Sequence, residues 1–214
     1  MGDKFNMKLF LSSSFEKTAG LLESKIGRKI KGKKVIFIEN ASDNHTGDIW
    51  WIRTDREAFL KLGCDIVDTD LRNISKDDFT KLLKDSDIIH FCGGSVLYLI
   101  NLIKEKGLKE IIVDAVKKNK IVYTGTSAGS MVVSTDLSLC AFDQDEKDEY
   151  KKKENYCGLA LLNFLILPHS NNIDFTGANI KMVEKLSNFS QPVIFIYDNQ
   201  AVFVEDDKFE ILSA

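Results

Sequence analysis

Short apolar runs alternate with amphipathic stretches along most of the chain. Lys8-Leu9-Phe10-Leu11 predicts a first strand ending in Ser12-Ser13-Ser14, and a helical stretch follows to about Ile26. Val35-Ile36-Phe37-Ile38 is the cleanest strand, continuous and rich in β-branched residues between Lys33-Lys34 and Glu39-Asn40. A strand apolar at every position suits a sheet covered on both faces. A helix through Trp50, Trp51, Phe59 and Leu62 comes next, with Gly63 as its stop. Ile66-Val67 reads as a short strand, and Ser75-Lys76-Asp77-Asp78 resembles a capping box opening a helix through Phe79 and Leu82-Leu83.

Asp87-Ile88-Ile89-His90-Phe91 predicts a strand leading to Gly93-Gly94. Leu97, Ile100 and Ile103 fall at helical spacing up to Gly107, and another helix runs from about Lys109 to Lys118. Ile121-Val122-Tyr123 is a strand ending in Gly125, and Phe164-Leu165-Ile166-Leu167 is a later one, followed by a helix to about Leu186. Val193 to Tyr197 and Ala201 to Val204 read as a terminal hairpin with Asp198-Asn199-Gln200 as its turn, and Phe209 to Leu212 as one more edge strand. Strand alternating with helix in this way predicts an α/β chain, a mostly parallel sheet with helices on both faces. Residues 143–155 break the pattern: Asp, Glu and Lys dominate, and the segment reads as an exposed loop.

Composition narrows the picture. The 214 residues fit one domain over 1–214, large enough to bury a core without disulfides. A net charge of -3 supplies no basic footprint, which argues against a nucleic-acid partner. No run approaches the ~18 apolar residues needed to span a bilayer, so no membrane partner is expected. Met1 to Asn6 is polar and lacks the apolar core of a secretory signal, which points to a cytoplasmic protein. Cys64, Cys92, Cys140 and Cys157 are widely spaced, without the paired spacing of a zinc site, and three His residues are too few for a His-rich one. No metal or other cofactor is expected. The Trp50-Trp51 pair is either core-facing, the commoner case, or part of a homodimer patch.

The sharpest chemical signal is Gly125-Thr126-Ser127-Ala128-Gly129, a Gly-x-Ser-x-Gly run between a predicted strand and a predicted helix. A tight turn packed with small residues would explain the same letters. The strand-turn-helix context adds the chemistry: it thrusts the Ser127 hydroxyl out at the carboxyl end of the sheet, where open α/β sheets build their sites. A serine hydroxyl needs an adjacent base. His90 lies inside an apolar strand and reads as a packed core residue. His45 sits in a polar loop at another strand's end and is an alternative base. His169 ends the Phe164–Leu167 strand after Pro168, facing the rim where Ser127 lies, and is preferred. An acid to orient the imidazole is sought among Asp136, Asp143, Asp145 and Asp148. Asp143 is chosen because Ala141-Phe142 before it could anchor it near the sheet. Gly93-Gly94 is either a plain tight turn or a pair of residues letting substrate approach the backbone, with the Ala128 N–H as a second donor.

Four separated pieces in order resemble the peptidase E (aspartyl dipeptidase) and cyanophycinase family of serine peptidases. They are the first strand into Leu11-Ser12-Ser13-Ser14, Phe91-Cys92-Gly93-Gly94-Ser95, Thr124 to Ser130, and Leu167-Pro168-His169-Ser170-Asn171. The resemblance implies a three-layer sandwich, flavodoxin-like or class I glutamine amidotransferase-like. It implies Ser127 as nucleophile, His169 as base, and Gly94 (with Gly93) and Ala128 lining the oxyanion hole. Asp143 lies closest to the position of the family's acid, one residue beyond it. The implied activity is hydrolysis of short peptides through an acyl-enzyme, with no cofactor. Two departures stand out: Cys92 replaces the first of three glycines, and no Arg matches the basic residue that holds an N-terminal Asp side chain. The rival readings are an α/β-type esterase and a non-catalytic ligand-binding module.

Overall fold

The structure, a computed structural model, describes residues 7–27, 29–143, 146–151 and 156–214. Met1 to Asn6, on which the absence of a secretory signal was read, and Asp145 lie outside them.

Seven strands form the main sheet: β1 (Lys8–Ser12), β2 (Lys34–Ile38), β3 (Asp65–Asp68), β4 (Ile88–Phe91), β5 (Val122–Thr126), and, later in the chain, Gln200–Glu205 and Lys208–Ser213. Between these last two and β5 come β6 (Leu165–Leu167) and β7 (Val193–Phe195), so the late pair are β8 and β9. The order across the sheet is β3-β2-β4-β5-β1-β8-β9. β1 to β5 are parallel; β8 runs antiparallel to β1, and β9 antiparallel to β8. The helices are α1 (Phe15–Thr18), α2 (Leu22–Ile26), α3 (Trp50–Lys61), α4 (Lys76–Lys84), α5 (Val96–Glu105), α6 (Lys109–Lys117), α7 (Ala128–Met131), α8 (Asp148–Lys151) and α9 (Thr176–Val183).

The sandwich follows from the period-2 alternation of side chains along each strand. Leu9, Leu11, Ile36, Ile38, Ile89, Phe91 and Tyr123 enter one core, shared with α4 to α7 and β6. Phe10, Val35, Phe37, Ile88 and Val122 enter the other, beneath α1, α2 and α3. Both faces are therefore buried, as the continuous apolar strands require. Ser75 caps α4 by accepting the Asp78 N–H at 3.1 Å, and Ser95 caps α5 by accepting the Tyr98 N–H at 3.0 Å.

Three expectations are corrected. Val193 to Tyr197 and Ala201 to Val204 form no hairpin: β7 pairs in parallel with β6 in a separate two-stranded sheet, and β8 makes its hairpin with β9. The Phe164–Leu167 strand accordingly joins β7, not the main sheet. The charged segment after Asp143 is not wholly exposed, because Glu146 is buried. Its carboxylate accepts the Ser95 hydroxyl (2.5 Å) and the Leu97 N–H (3.0 Å), placing negative charge at the amino end of α5.

The turn from β5 into α7 is closely packed backbone on backbone. A Cβ on Gly129 would lie 2.0 Å from the Phe91 carbonyl oxygen, and one on Gly125 would lie 2.4 Å from the Gly129 oxygen. Gly129→Ala should therefore lower stability by more than about 3 kcal/mol, since the obstacle is backbone and cannot rotate away. Gly20→Ala, with nothing within 4 Å of the added carbon, is the control and should change stability by less than about 1 kcal/mol. Urea unfolding midpoints of the two variants check this.

Candidate active site

Ser127 stands between β5 and α7 with φ 49° and ψ -109°, a conformation that costs a residue with a side chain about 1–3 kcal/mol. Surrounding hydrogen bonds hold it there. The Ser127 N–H donates to the Ser12 oxygen at the end of β1 (3.0 Å). The Ser130 hydroxyl bridges the Ser12 and Gly125 oxygens, each at 2.8 Å, and the buried Tyr123 hydroxyl donates to the Gly129 oxygen at 2.7 Å. Ser127 is half-buried while its neighbours on both sides are buried, so the turn presents this one side chain at the carboxyl edge of the sheet.

His169 follows β6 and Pro168 in the left-handed region, φ 58°. Its Nε2 lies 3.0 Å from Ser127 Oγ, and its Nδ1 lies 2.6 Å from Asp198 Oδ1. Ser13, just past β1, ties the group together. Its hydroxyl accepts the His169 N–H at 2.8 Å, donates to Asp198 Oδ1 at 3.1 Å, and lies 3.2 Å from Nδ1. Asn172 donates its side-chain N–H to Asp198 Oδ2 (3.0 Å), Asn171 Oδ1 accepts the Asp198 N–H (3.0 Å), and Lys17 lies 3.6 Å from Oδ2. The Phe175 ring stacks on the imidazole at 4.1 Å and 17°.

The electrostatics separate the two titrating groups. Burial pushes the His169 pKa below its ordinary value, against the Asp198 hydrogen bond and charge that raise it; Lys17 adds to the lowering. Burial works to raise Asp198, but the His169 hydrogen bond and charge, with Asn172 and Ser13, outweigh it and hold the carboxyl below the usual range. At neutral pH the imidazole is uncharged beside an ionised carboxylate. The proton then sits on Nδ1, facing Asp198, and the Nε2 lone pair faces the Ser127 hydroxyl.

Gly93 and Gly94 follow the end of β4, and Gly93 adjoins Ser127. The point where a Gly93 Cβ would sit is 3.4 Å from Ser127 Cβ. Gly94 has φ 140°, and a Cβ there would fall 2.3 Å from the Ala41 oxygen, so only glycine fits. Among the described residues, neither the Gly94 N–H nor the Ala128 N–H donates to a protein acceptor.

Ser127, His169, Gly93, Gly94 and Ala128 thus come together as a group. Asp143 does not join it; the carboxylate that meets the imidazole is that of Asp198. Asp143 ends the short turn Ser138–Phe142, where its N–H donates to the Cys140 oxygen (3.0 Å). Burial first, and the Asp143 charge among the smaller causes, raise the Cys140 and Glu146 pKa values, which places that charge beside them and not at His169. Asp136 accepts the Ser138 N–H at 2.8 Å in a local turn. Asp148 is exposed in α8. His45 is an exposed rim residue with its ring edge-on to Trp51 at 4.8 Å. His90 is a core residue, its Nδ1 2.9 Å from Thr124 Oγ1 and its Nε2 3.3 Å from Asp55 Oδ2. Asp55, His90 and Cys92 form the one potential metal-ligand group found among the described residues. Both His90 nitrogens are already engaged there, and burial pushes the Cys92 thiol well up, so the trio is a poor ligand set.

Local sequence singles out neither Asp198 nor Ser13. Asp198-Asn199-Gln200 carries the letters of a hairpin turn, and Ser13 those of a strand end. The available signal was that the serine run follows a strand end of the parallel sheet, as Ser127 does, and so shares its rim.

A three-layer α/β sheet that brings a serine, an imidazole and a carboxylate into one hydrogen-bonded chain belongs to the serine-type hydrolases. Comparison with known proteins narrows the class. Residues 9–212 match peptidase family S51. The chain is 30% identical over 201 residues to the uncharacterized peptidase Lin0382 of Listeria innocua, covering 94% of this chain and 93% of that one. It is 28% identical over 196 residues to the uncharacterized peptidase Lmo0363 of Listeria monocytogenes, covering 92% and 93%. A crystal structure of a candidate peptidase E from Listeria monocytogenes EGD-e superposes with a TM-score of 0.87 at 25% identity, over 98% of this chain and 99% of that one. The chain belongs to peptidase family S51 and is a serine-type peptidase with the flavodoxin-like, class I glutamine amidotransferase-like fold. Among the described residues no helix is long and apolar enough to cross a membrane.

An NMR titration of the histidines should place the His169 inflection below about 6.5. Asp198→Asn should move it further down, because burial then acts without the carboxylate that opposes it. An upward or absent shift would show that the Asp198 charge is not felt at the imidazole.

Proposed function

We propose that this chain hydrolyses short peptides through a triad of Ser127, His169 and Asp198 and an acyl-enzyme intermediate. The observation that carries the reading is the imidazole spanning Ser127 Oγ at 3.0 Å and Asp198 Oδ1 at 2.6 Å. The strand-to-helix turn at Ser127 is read as a nucleophile elbow.

Ser127 Oγ attacks the peptide carbonyl carbon while Nε2 of His169 takes its proton. The carbonyl oxygen becomes an oxyanion, held by the N–H groups of Gly94 and Ala128. Collapse breaks the C–N bond, and the proton on Nε2 passes to the leaving amine. Water then attacks the ester, giving its proton to Nε2, and the serine leaves with that proton restored. Asp198 keeps the imidazole in the required tautomer and offsets its transient charge. Ser13 and Asn172 fix the carboxylate for that task. No step calls on a cofactor. The similarity to a candidate peptidase E supports a dipeptide-sized substrate. The missing Arg argues against strict selection of N-terminal Asp. Free thiols at Cys64, Cys92 and Cys140 fit the reducing cytoplasm as the place of work.

Ser127→Ala should abolish labelling by a fluorophosphonate probe, read by intact-protein mass spectrometry. Asp198→Asn should slow labelling about 10⁴-fold, by analogy with the tautomer effect in triad enzymes, and Asp143→Asn should stay within about threefold of the parent. The reverse ranking of the two aspartate variants would return the acid's role to Asp143. A dipeptide-library screen by mass spectrometry identifies the preferred side chains, and cleavage of acyl esters with no dipeptide turned over would reject the peptide substrate.

A further inference from the structure

The Gly93–Gly94 peptide has glycine on both of its sides. A peptide plane rotates through paired changes in the ψ before it and the φ after it, and glycine on both sides removes the side-chain clashes that normally resist this. A donor on such a peptide is useful only if something else fixes its direction.

Two side chains do so. Ser42 ends the short turn Asn40–Ser42 after β2, and its buried hydroxyl donates to the Gly93 oxygen at 2.8 Å. Trp51, in the first turn of α3, directs its indole N–H at the same oxygen (3.3 Å) and at Ser42 Oγ (3.2 Å). The turn itself is braced: Asn40 donates to Asp43 (3.0 Å) and Asp70 (2.9 Å), accepts the Leu71 N–H (2.9 Å), and the Ala41 oxygen accepts the Ser95 N–H (2.8 Å). The indole is half-buried, with the rings of His45 and Trp50 edge-on at 4.8 Å and 6.0 Å. All peptide bonds described are trans, so the Gly94 N–H points opposite to the Gly93 carbonyl, away from Ser42 and Trp51.

We propose that Ser42 and Trp51 are positioning residues of the oxyanion hole: by pinning the Gly93 carbonyl they aim the Gly94 N–H at the developing oxyanion beside Ser127. This rests on the serine-hydrolase reading above. It also gives the Trp50-Trp51 pair a division of labour: Trp51 holds the Gly93 peptide, and Trp50, 51% exposed, is packed against its edge. Rotation of the 93–94 peptide would break both bonds to the carbonyl at once and turn the donor out of the site.

The test measures fluorophosphonate labelling kinetics of the parent, Ser42→Ala, Trp51→Phe and the double variant. Phosphonylation also places negative charge on an oxygen in that hole. Losing one donor outright costs about 10²–10³-fold in rate, so loosening its aim should cost about 10-fold to 100-fold in the double variant. The loss should fall on the limiting rate constant, with the half-saturating probe concentration within about twofold of the parent. The pH at half-maximal rate should not move, because His169 and Asp198 are untouched. A double variant that labels at the parent's limiting rate, or loses only probe affinity, or shifts its pH profile, overturns the proposal. Should the double variant fail to fold, Trp51→Phe decides alone, since it keeps an aromatic side chain at that position while removing the N–H donor; an unchanged limiting rate then rejects the role. A parent protein that the probe does not label at Ser127 would mark failure of the serine-hydrolase reading itself, a result distinct from any difference among the variants.

Discussion

The imidazole of His169 has to be held by partners from three distant parts of the chain at once. Ser127 lies 42 residues before it, Asp198 lies 29 after it, and Ser13 lies 156 before it. An imidazole with one nitrogen proton can donate on one side only while accepting on the other. Its orientation therefore decides whether the serine faces a base or a second donor. The 2.6 Å contact to an ionised carboxylate settles that orientation, and the Phe175 ring stacked on one face restricts rotation of the imidazole plane.

That arrangement depends on β1. Its position between β5 and β8 is what lets one strand end serve two functions. The Ser12 oxygen receives hydrogen bonds from the Ser127 N–H and the Ser130 hydroxyl, stabilising the strained turn. The next residue, Ser13, reaches the other way, to His169 and Asp198, and its own N–H donates to the Gln200 oxygen at the start of β8 (3.1 Å). Ser127 and Asp198 are thus tied to two adjacent residues, Ser12 and Ser13.

The site also shows how burial and charge divide the work. His169 and Asp198 are each mostly enclosed, with side chains 12% and 13% exposed. For the imidazole, enclosure wins and keeps it neutral. For the carboxylate, the donors around it win and keep it ionised. The same enclosure in the opposite core leaves His90 tied to Asp55 and Thr124 among the rings of Phe15, Phe37 and Phe59, where no cleft reaches it. Two histidines that both end their hydrogen bonds on an aspartate therefore differ in one respect that matters, access to a half-exposed hydroxyl.

Much of this protein is written in local pattern. Strand and helix alternate in the sequence because each inner strand must be apolar on both faces and each helix on one, and that rule yields β1, β2, β4 and β5 and the helices around them, while the edge strand β3 is half-exposed. Ser127 was legible because Gly125 and Gly129 are demanded by a strand that turns back on itself, and His169 because it ends a strand beside a polar loop. Contacts distant in sequence were not legible. Nothing local distinguishes Asp198 from an ordinary turn acid, nor Ser13 from a strand-end serine, nor Glu146 from its solvated neighbours. β7 resembles half of a hairpin until β6 is found beside it. Side-chain chemistry and backbone sterics act over a few residues and leave a trace in sequence; which strand ends meet is decided by the order of the sheet, and only the folded chain brings Asp198 to His169.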